Sequence, residues 1–395
     1  MKNDEEPAAE RQAVADRQAV ASGMERGGEA VACSRLEEPM ESMEPIVVTV
    51  FNQKGGIGKT TTSVNLATCL AAGGWRVALI DIDSQSNATT SLGLVAMTAP
   101  GAYELFKGSV TVAQTLLPTR FPGLSVCRAA DELAGIAIDL ALQADPHALL
   151  RRRLAAGGVA ADIVIIDCPP ALGPLPINAL VASHLVLVPV TPEPMARDGL
   201  HRAWRHIQRI RSKINPRLEM AGIVLTMARD DIIHTALVAT LHAELGSSMM
   251  AIEIPFDPQV PAASQHDIPV CVYDPYCSAT RAYLALTEAL ARTVRRVAGV
   301  GAIGNVATGF DVLKARATLQ EWNLAMSPPL RFLADAPASP SGWLSDLGDE
   351  LAQVSPPVPE RRSPAAGSAA VLGFGVGGMI GIGLAALGRQ LGWLP

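Results

Sequence analysis

The sequence predicts an α/β fold, a doubly wound, mostly parallel sheet flanked by helices. Three observations carry this expectation. Short apolar runs alternate with longer helical patterns along most of the chain, the order that builds layered α/β domains. Each run is continuously apolar, as strands covered on both faces must be. A glycine-rich loop joins the first run to the first helical pattern.

The predicted strands are IVVTVF (46–51), RVALIDI (76–82), DIVIID (162–167), LVLVPV (185–190), GIVLTM (222–227) and MAIEI (250–254). Helical patterns cover 58–73, 197–214, 235–246 and 279–298. Within 197–214, Leu200, Ala203, Ile207, Ile210 and Ile214 recur at three and four, which gives one buried face.

These elements define a domain at 45–298. Residues 1–44 hold eleven acids and five basic residues, so they account for the whole net charge of -6. They read as an acidic, mobile extension. The balanced remainder excludes a strongly basic body, and any nucleic-acid contact must come from a local patch. Residues 299–326 suggest one extra helix, and 327–368 form a Pro/Ser/Ala-rich linker. The tail at 369–395 is apolar and Gly-rich, and 369–388 carry no charge. That stretch meets the length for a membrane span, with Gly373, Gly377 and Gly381 at every fourth position. Its glycine content suits a sticky or partner-binding peptide equally well. The six cysteines, Cys33, Cys69, Cys127, Cys168, Cys271 and Cys277, show no CxxC pair and no metal-ligand spacing. No basic-then-apolar leader opens the chain, so a cytoplasmic protein with reduced thiols is expected.

The chemistry concentrates in FNQKGGIGKTTT (51–62). A strand, a glycine loop and a helix beginning Lys-Thr place backbone N–H groups around phosphate oxygens at a helix N-terminus. Gly55, Gly56, Ile57 and Gly58 form the loop, Lys59 reaches the terminal phosphates, and Thr60 ligates Mg²⁺, with Thr61 beside it. Gln53 replaces the first glycine of the general pattern, so the loop fits the deviant form KGGxGK[ST] with a second lysine, Lys54. Asp81 and Asp83 close the second strand and Asp167 closes another. Carboxylates at such strand ends meet the phosphate pocket and can hold Mg²⁺.

KGGIGKTTTSVNLA, DIDSQSNATTSLGL, DCPPALGPLPINAL and VPVTPEPMARDGL resemble successive motifs of the ParA/Soj partition ATPases, within the ParA/MinD group of deviant P-loop proteins. The likeness spans about 46–295. It implies ATP and Mg²⁺ as ligands, ATP hydrolysis, and a nucleotide-sandwich homodimer that partitions or positions a plasmid, chromosome or other cargo. Lys54 would then contact phosphates held by the other subunit, and Asp83 would orient the attacking water. Asp81 and Asp167 would support Mg²⁺. A ParB-like or other adaptor would stimulate hydrolysis, and the protein would be cytoplasmic and nucleoid-associated. Ser84 stands where the family usually has proline.

Nonspecific DNA binding is a further implication, and here the chain departs from the family. Asp231, Phe256 and Gln259 occupy positions where arginine is usual, although Arg229 is close by. Arg202, Arg205, Arg209 and Lys213 form a substitute basic stripe on 197–214, which would equally serve as an ordinary solvated face. Two alternatives remain at this level. One is a MinD-like ATPase anchored to the membrane, peripherally or by its tail, and the other is a metabolic P-loop enzyme. An iron–sulphur reductase is disfavoured, because Cys168 follows Asp167 with no second cysteine placed to share a cluster.

Overall fold

A computed structural model describes residues 44–94, 98–143, 145–193, 196–299 and 305–326. All of them fall within one compact unit, Met1–Leu330. The expectations for 1–43, Cys33, the linker at 327–368 and the tail at 369–395 lie outside the described residues.

Eight strands form one sheet in the order β3-β4-β2-β5-β1-β6-β7-β8. They are β1 (Ile46–Val50), β2 (Val77–Asp81), β3 (Leu116–Pro118), β4 (Leu124–Cys127), β5 (Ile163–Asp167), β6 (Leu185–Val190), β7 (Glu219–Ala228) and β8 (Met249–Pro255). Every pairing is parallel except β3 with β4. The six predicted runs are β1, β2 and β5 to β8. The edge strand β3 and its neighbour β4 were not predicted, because LLP and LSVC, three and four residues long and broken by Pro118 and Ser125, leave no apolar run to detect. With β1 between β5 and β6, the winding reverses beside β1. That switch point is where ligands enter such sheets, at the carboxyl ends of the strands.

The helices in chain order are α1 (Lys59–Ala72), α2 (Asn87–Thr90), α3 (Ala102–Lys107), α4 (Val112–Thr115), α5 (Ile136–Ala141), α6 (Leu149–Ala155) and α7 (Pro174–Ala182). They continue with α8 (Ala196–Lys213), α9 (Ile232–Leu245), α10 (Gln259–Gln265), α11 (Val270–Tyr273), α12 (Ser278–Ala298), α13 (Asn305–Thr308) and α14 (Val312–Met326). Alternate strand residues feed two cores. Val47, Ala78, Ile80 and Ile166 join α3, α6, α7 and α8 on one side, while Val48, Val50, Leu79 and Ile165 join α1, α12 and α14 on the other. This two-sided cover is why the strands read as continuous apolar runs.

In α8, Leu200, Ala203, Ile207 and Ile210 are buried as predicted, but Ile214 is 36% exposed. It lies one residue past the helix end at Lys213, so the periodicity no longer turns it toward the sheet. The extra helix expected within 299–326 is α14, preceded by the single turn α13. Cys69, Cys127, Cys168 and Cys271 are buried and Cys277 is half-buried, all unbridged. Among the described residues no helix is long and apolar enough to cross a membrane.

Candidate functional site

The loop between β1 and α1 is shaped by its glycines. Gly56 and Gly58 have φ of 71° and 78°, a left-handed backbone that side chains resist. Ile57 between them is 2% exposed and anchors the loop. Its carbonyl accepts a 2.9 Å hydrogen bond from Thr226 Oγ1 at the end of β7. On the other flank, Asn52 Nδ2 donates to Pro189 O of β6 at 2.8 Å. The loop is therefore fixed to strand ends on both sides. It opens onto the first turn of α1, whose N–H groups lack intrahelical acceptors and favour anions.

The two lysines lead different lives. Lys59 is 6% exposed, and its Nζ donates to the Lys54 carbonyl at 2.8 Å, lying along the inside of the loop. Burial lowers its pKa, against the opposing pull of Asp167, Cys168 and Asp83. Lys54 stands at the rim with a side chain 32% exposed, and its ammonium pairs with Glu193, itself 55% exposed. A pair this open to water adds little to stability.

Three carboxylates meet the loop from adjacent strand ends, and Asp81 and Asp167 are direct partners across β2 and β5. Asp167 has no solvent exposure. Thr60 Oγ1 donates to its Oδ2 at 2.7 Å, and Ser63 Oγ to its Oδ1 at 2.8 Å. Burial pushes its pKa up to about 6, although those two hydroxyls and Lys59 oppose the rise. Asp81 is also fully buried. Its Oδ2 accepts from Thr89 N and Thr89 Oγ1, at 2.9 and 2.8 Å, and its Oδ1 accepts from Asp83 N at 3.1 Å. Burial, then the charge of Asp167, pushes it up to about 7. Both Asp81 oxygens are thus engaged in shaping the loop that carries Asp83. Asp83 is 7% exposed, and its Oδ1 accepts from Gln85 N at 3.1 Å.

Two buried acids with raised pKa values, beside a hydroxyl and a buried lysine, form a donor set that a divalent cation would relieve of its repulsion. The residues fit a Mg²⁺-nucleotide. Thr60 and Asp167 would stand nearest the metal, and Asp81 behind them. Sequence reasoning missed Ser63, Thr226, Thr89 and Glu193. Ser63 was within reach of it, three residues after Thr60 and so on the same face of α1.

The predicted DNA contacts divide. Arg202, Arg205 and Lys213 are exposed along α8, as is Arg209. Arg202 and Arg205 line a shallow groove of about 370 Å³ with Asp198, His201 and Trp204. Arg229 lies instead one residue past the end of β7, its guanidinium 4.3 Å over the ring of Phe256. Asp231 caps α9 by accepting from His234 N at 2.8 Å, which explains an acid at that position.

An AAA domain, the AAA_31 family, matches residues 46–220. The chromosome partitioning protein ParA of Caulobacter vibrioides is 39% identical over 246 residues, which is 61% of this chain and 92% of the relative. The sporulation initiation inhibitor protein Soj of Bacillus subtilis is 36% identical over 248 residues, 62% of this chain and 98% of that one. Among solved structures, cobyrinic acid a,c-diamide synthase from Mycobacterium smegmatis with bound ADP and magnesium superposes with a TM-score of 0.55. It shares 30% identity, over 65% of this chain and 96% of that chain. The cell division ATPase MinD of Pyrococcus furiosus shares the fold, with a TM-score of 0.53 at 22% identity over 64% of this chain and all of its own. On these likenesses and the deviant phosphate loop, the chain belongs to the ParA/Soj family of P-loop proteins.

Proposed function

We propose that this chain is an ATP-dependent partition switch that binds and hydrolyses Mg²⁺-ATP in a nucleotide-sandwich dimer and so moves or positions a cargo. The observation that carries the reading is the division of labour between its two lysines. Lys59 lies along its own loop, whereas Lys54 presents its charge at the exposed rim, held by an open ion pair with Glu193.

Phosphoryl transfer needs positioning and charge neutralisation more than covalent chemistry. The backbone of Gly55 to Thr61 cradles the phosphates, and Lys59 neutralises the terminal ones. Bound Mg²⁺ would supply further positive charge at the phosphate oxygens. Thr60 and Asp167 would hold the metal, while Asp81 keeps the Asp83 loop in place. Gln85 N binds Asp83 Oδ1, and Asp83 Oδ2 is the atom to orient the attacking water. Lys54 leaves Glu193 and reaches the phosphates bound by a second subunit, so that hydrolysis and association become coupled. Salt-bridge exchange of this kind is cheap at the rim, at ~1 kcal/mol or less.

The working surface is DNA in this reading, met by the α8 stripe together with Arg229, and an adaptor of ParB type accelerates turnover. The test is ATP turnover by the purified full chain, alone, with duplex DNA, or with anionic liposomes. Stimulation by DNA is the expected result. Stimulation by liposomes alone would replace this reading with the membrane-organising one, and no turnover in any arm would refute the ATPase.

A further inference from the structure

Helix α14 lies beyond the residues matched by the AAA domain, yet it packs like a core helix. Ala315 and Leu319 are fully buried, and the half-buried Val312, Trp322 and Met326 continue the same spacing of three and four. Its approach is close. A Cβ on Gly73, at the end of α1, would meet the ring of Phe310 at 2.5 Å. Trp75 Nε1 donates to Gly309 O at 3.3 Å, and the rings of Phe121 and Trp322 lie 5.3 Å apart.

Apolar contact accounts for the docking but not for Asn323. Its Nδ2 donates to two carbonyls at once, Val272 O and Tyr273 O, each at 2.9 Å. These are the last carbonyls of the short helix α11, groups with no acceptor role inside their own helix. On its other side α11 is held to α1, where Cys271 N donates to Asn65 Oδ1 at 3.1 Å. Asn65 is 2% exposed, and its Nδ2 donates to Thr61 O at 2.8 Å. Thr61 belongs to the turn that frames the phosphates. Hydrogen bonds on both sides of the α11 backbone therefore link α14 to the first turn of α1.

We propose that Asn323 is a positioning residue for the nucleotide pocket, fixing the first turn of α1 through α11 and Asn65. The inference rests on the nucleotide-binding reading above. It makes α14 a brace for the pocket.

The experiment is titration calorimetry of ADP with Mg²⁺ on the full chain, comparing wild type, Asn323→Ala, Asn323→Gln, Asn65→Ala and the double alanine variant. Melting temperatures are taken without nucleotide. Losing two hydrogen bonds in one path predicts an affinity about three- to tenfold weaker for Asn323→Ala, with partial recovery in Asn323→Gln. The double variant should bind no more weakly than Asn65→Ala, because the residues act in series. Wild-type affinity in Asn323→Ala, whatever its melting temperature, would overturn the proposal, as would losses that multiply in the double variant. Failure of the wild type to bind ADP would remove the nucleotide reading itself, and the brace with it.

Discussion

Replacing Asp167 by asparagine keeps the size of the side chain and removes its charge at a position with no solvent exposure. In the folded chain burial raises this carboxyl from 3.8 to about 6, which corresponds to roughly 3 kcal/mol against ionising it. The folded state holds the proton to higher pH than the unfolded chain. Its contribution to stability is therefore complete below pH 3.8 and is lost as pH rises through about 6. At pH 8 asparagine escapes that penalty. Against this, Thr60 and Ser63 both face the carboxylate, and an amide offers only one acceptor oxygen; Ser63 Oγ can turn its hydrogen to Lys59 O, 3.0 Å away, and accept from the amide, an exchange that costs about 1 kcal/mol. The net expectation is a variant about 1–2 kcal/mol more stable than wild type at pH 8, and no more stable at about pH 4. Urea unfolding without nucleotide at the two pH values measures this. Calorimetry should then show Mg²⁺-dependent ADP affinity reduced at least about tenfold, since the carboxylate matters for the metal. A variant less stable than wild type at pH 8 would show that the charge holds the fold together, and would refute this reasoning.

Two further outcomes follow from the same geometry. Asp257 accepts from Ser278 Oγ at 2.5 Å, Gln259 N at 2.9 Å and Ala279 N at 3.1 Å, tying the loop after β8 to the starts of α10 and α12. Burial pushes its pKa up, but these bonds outweigh it and hold the group below its ordinary value. Its stabilisation is therefore present above pH 3.8 and lost as pH falls through the lowered value. Asp257→Ala should cost ~2–3 kcal/mol in urea unfolding at pH 7; a cost under ~0.5 kcal/mol contradicts the capping role. Changing Arg202, Arg205 and Arg209 together to glutamate should abolish ATP-dependent retention of duplex DNA in a filter assay while leaving ADP affinity within about twofold. Unchanged retention sinks the stripe.

The parts legible in the sequence are those with strong local constraints. β1, the glycine loop, α1 and the acids at the ends of β2 and β5 each occupy a position that the motif dictates, and they meet at one pocket. The stretch from α2 to α6 was opaque because its helices run four to seven residues and its strands three or four, too short to show a period. Pairings between distant residues were hidden for a different reason. Nothing local marks Glu193 as the partner of Lys54, Thr226 as the anchor of Ile57, or Asn323 as the support of α11. Asp231 read as a lost arginine and is a helix cap, so a departure from a family pattern can reflect local folding as much as altered binding.

Sedimentation of Lys54→Ala with ATP and Mg²⁺, beside its turnover rate, addresses the central claim most directly. The account predicts a variant that binds ADP within about threefold of wild type, yet no longer associates on adding ATP and turns over at least about a hundredfold more slowly. ATP-induced dimers and turnover both at wild-type levels would contradict it.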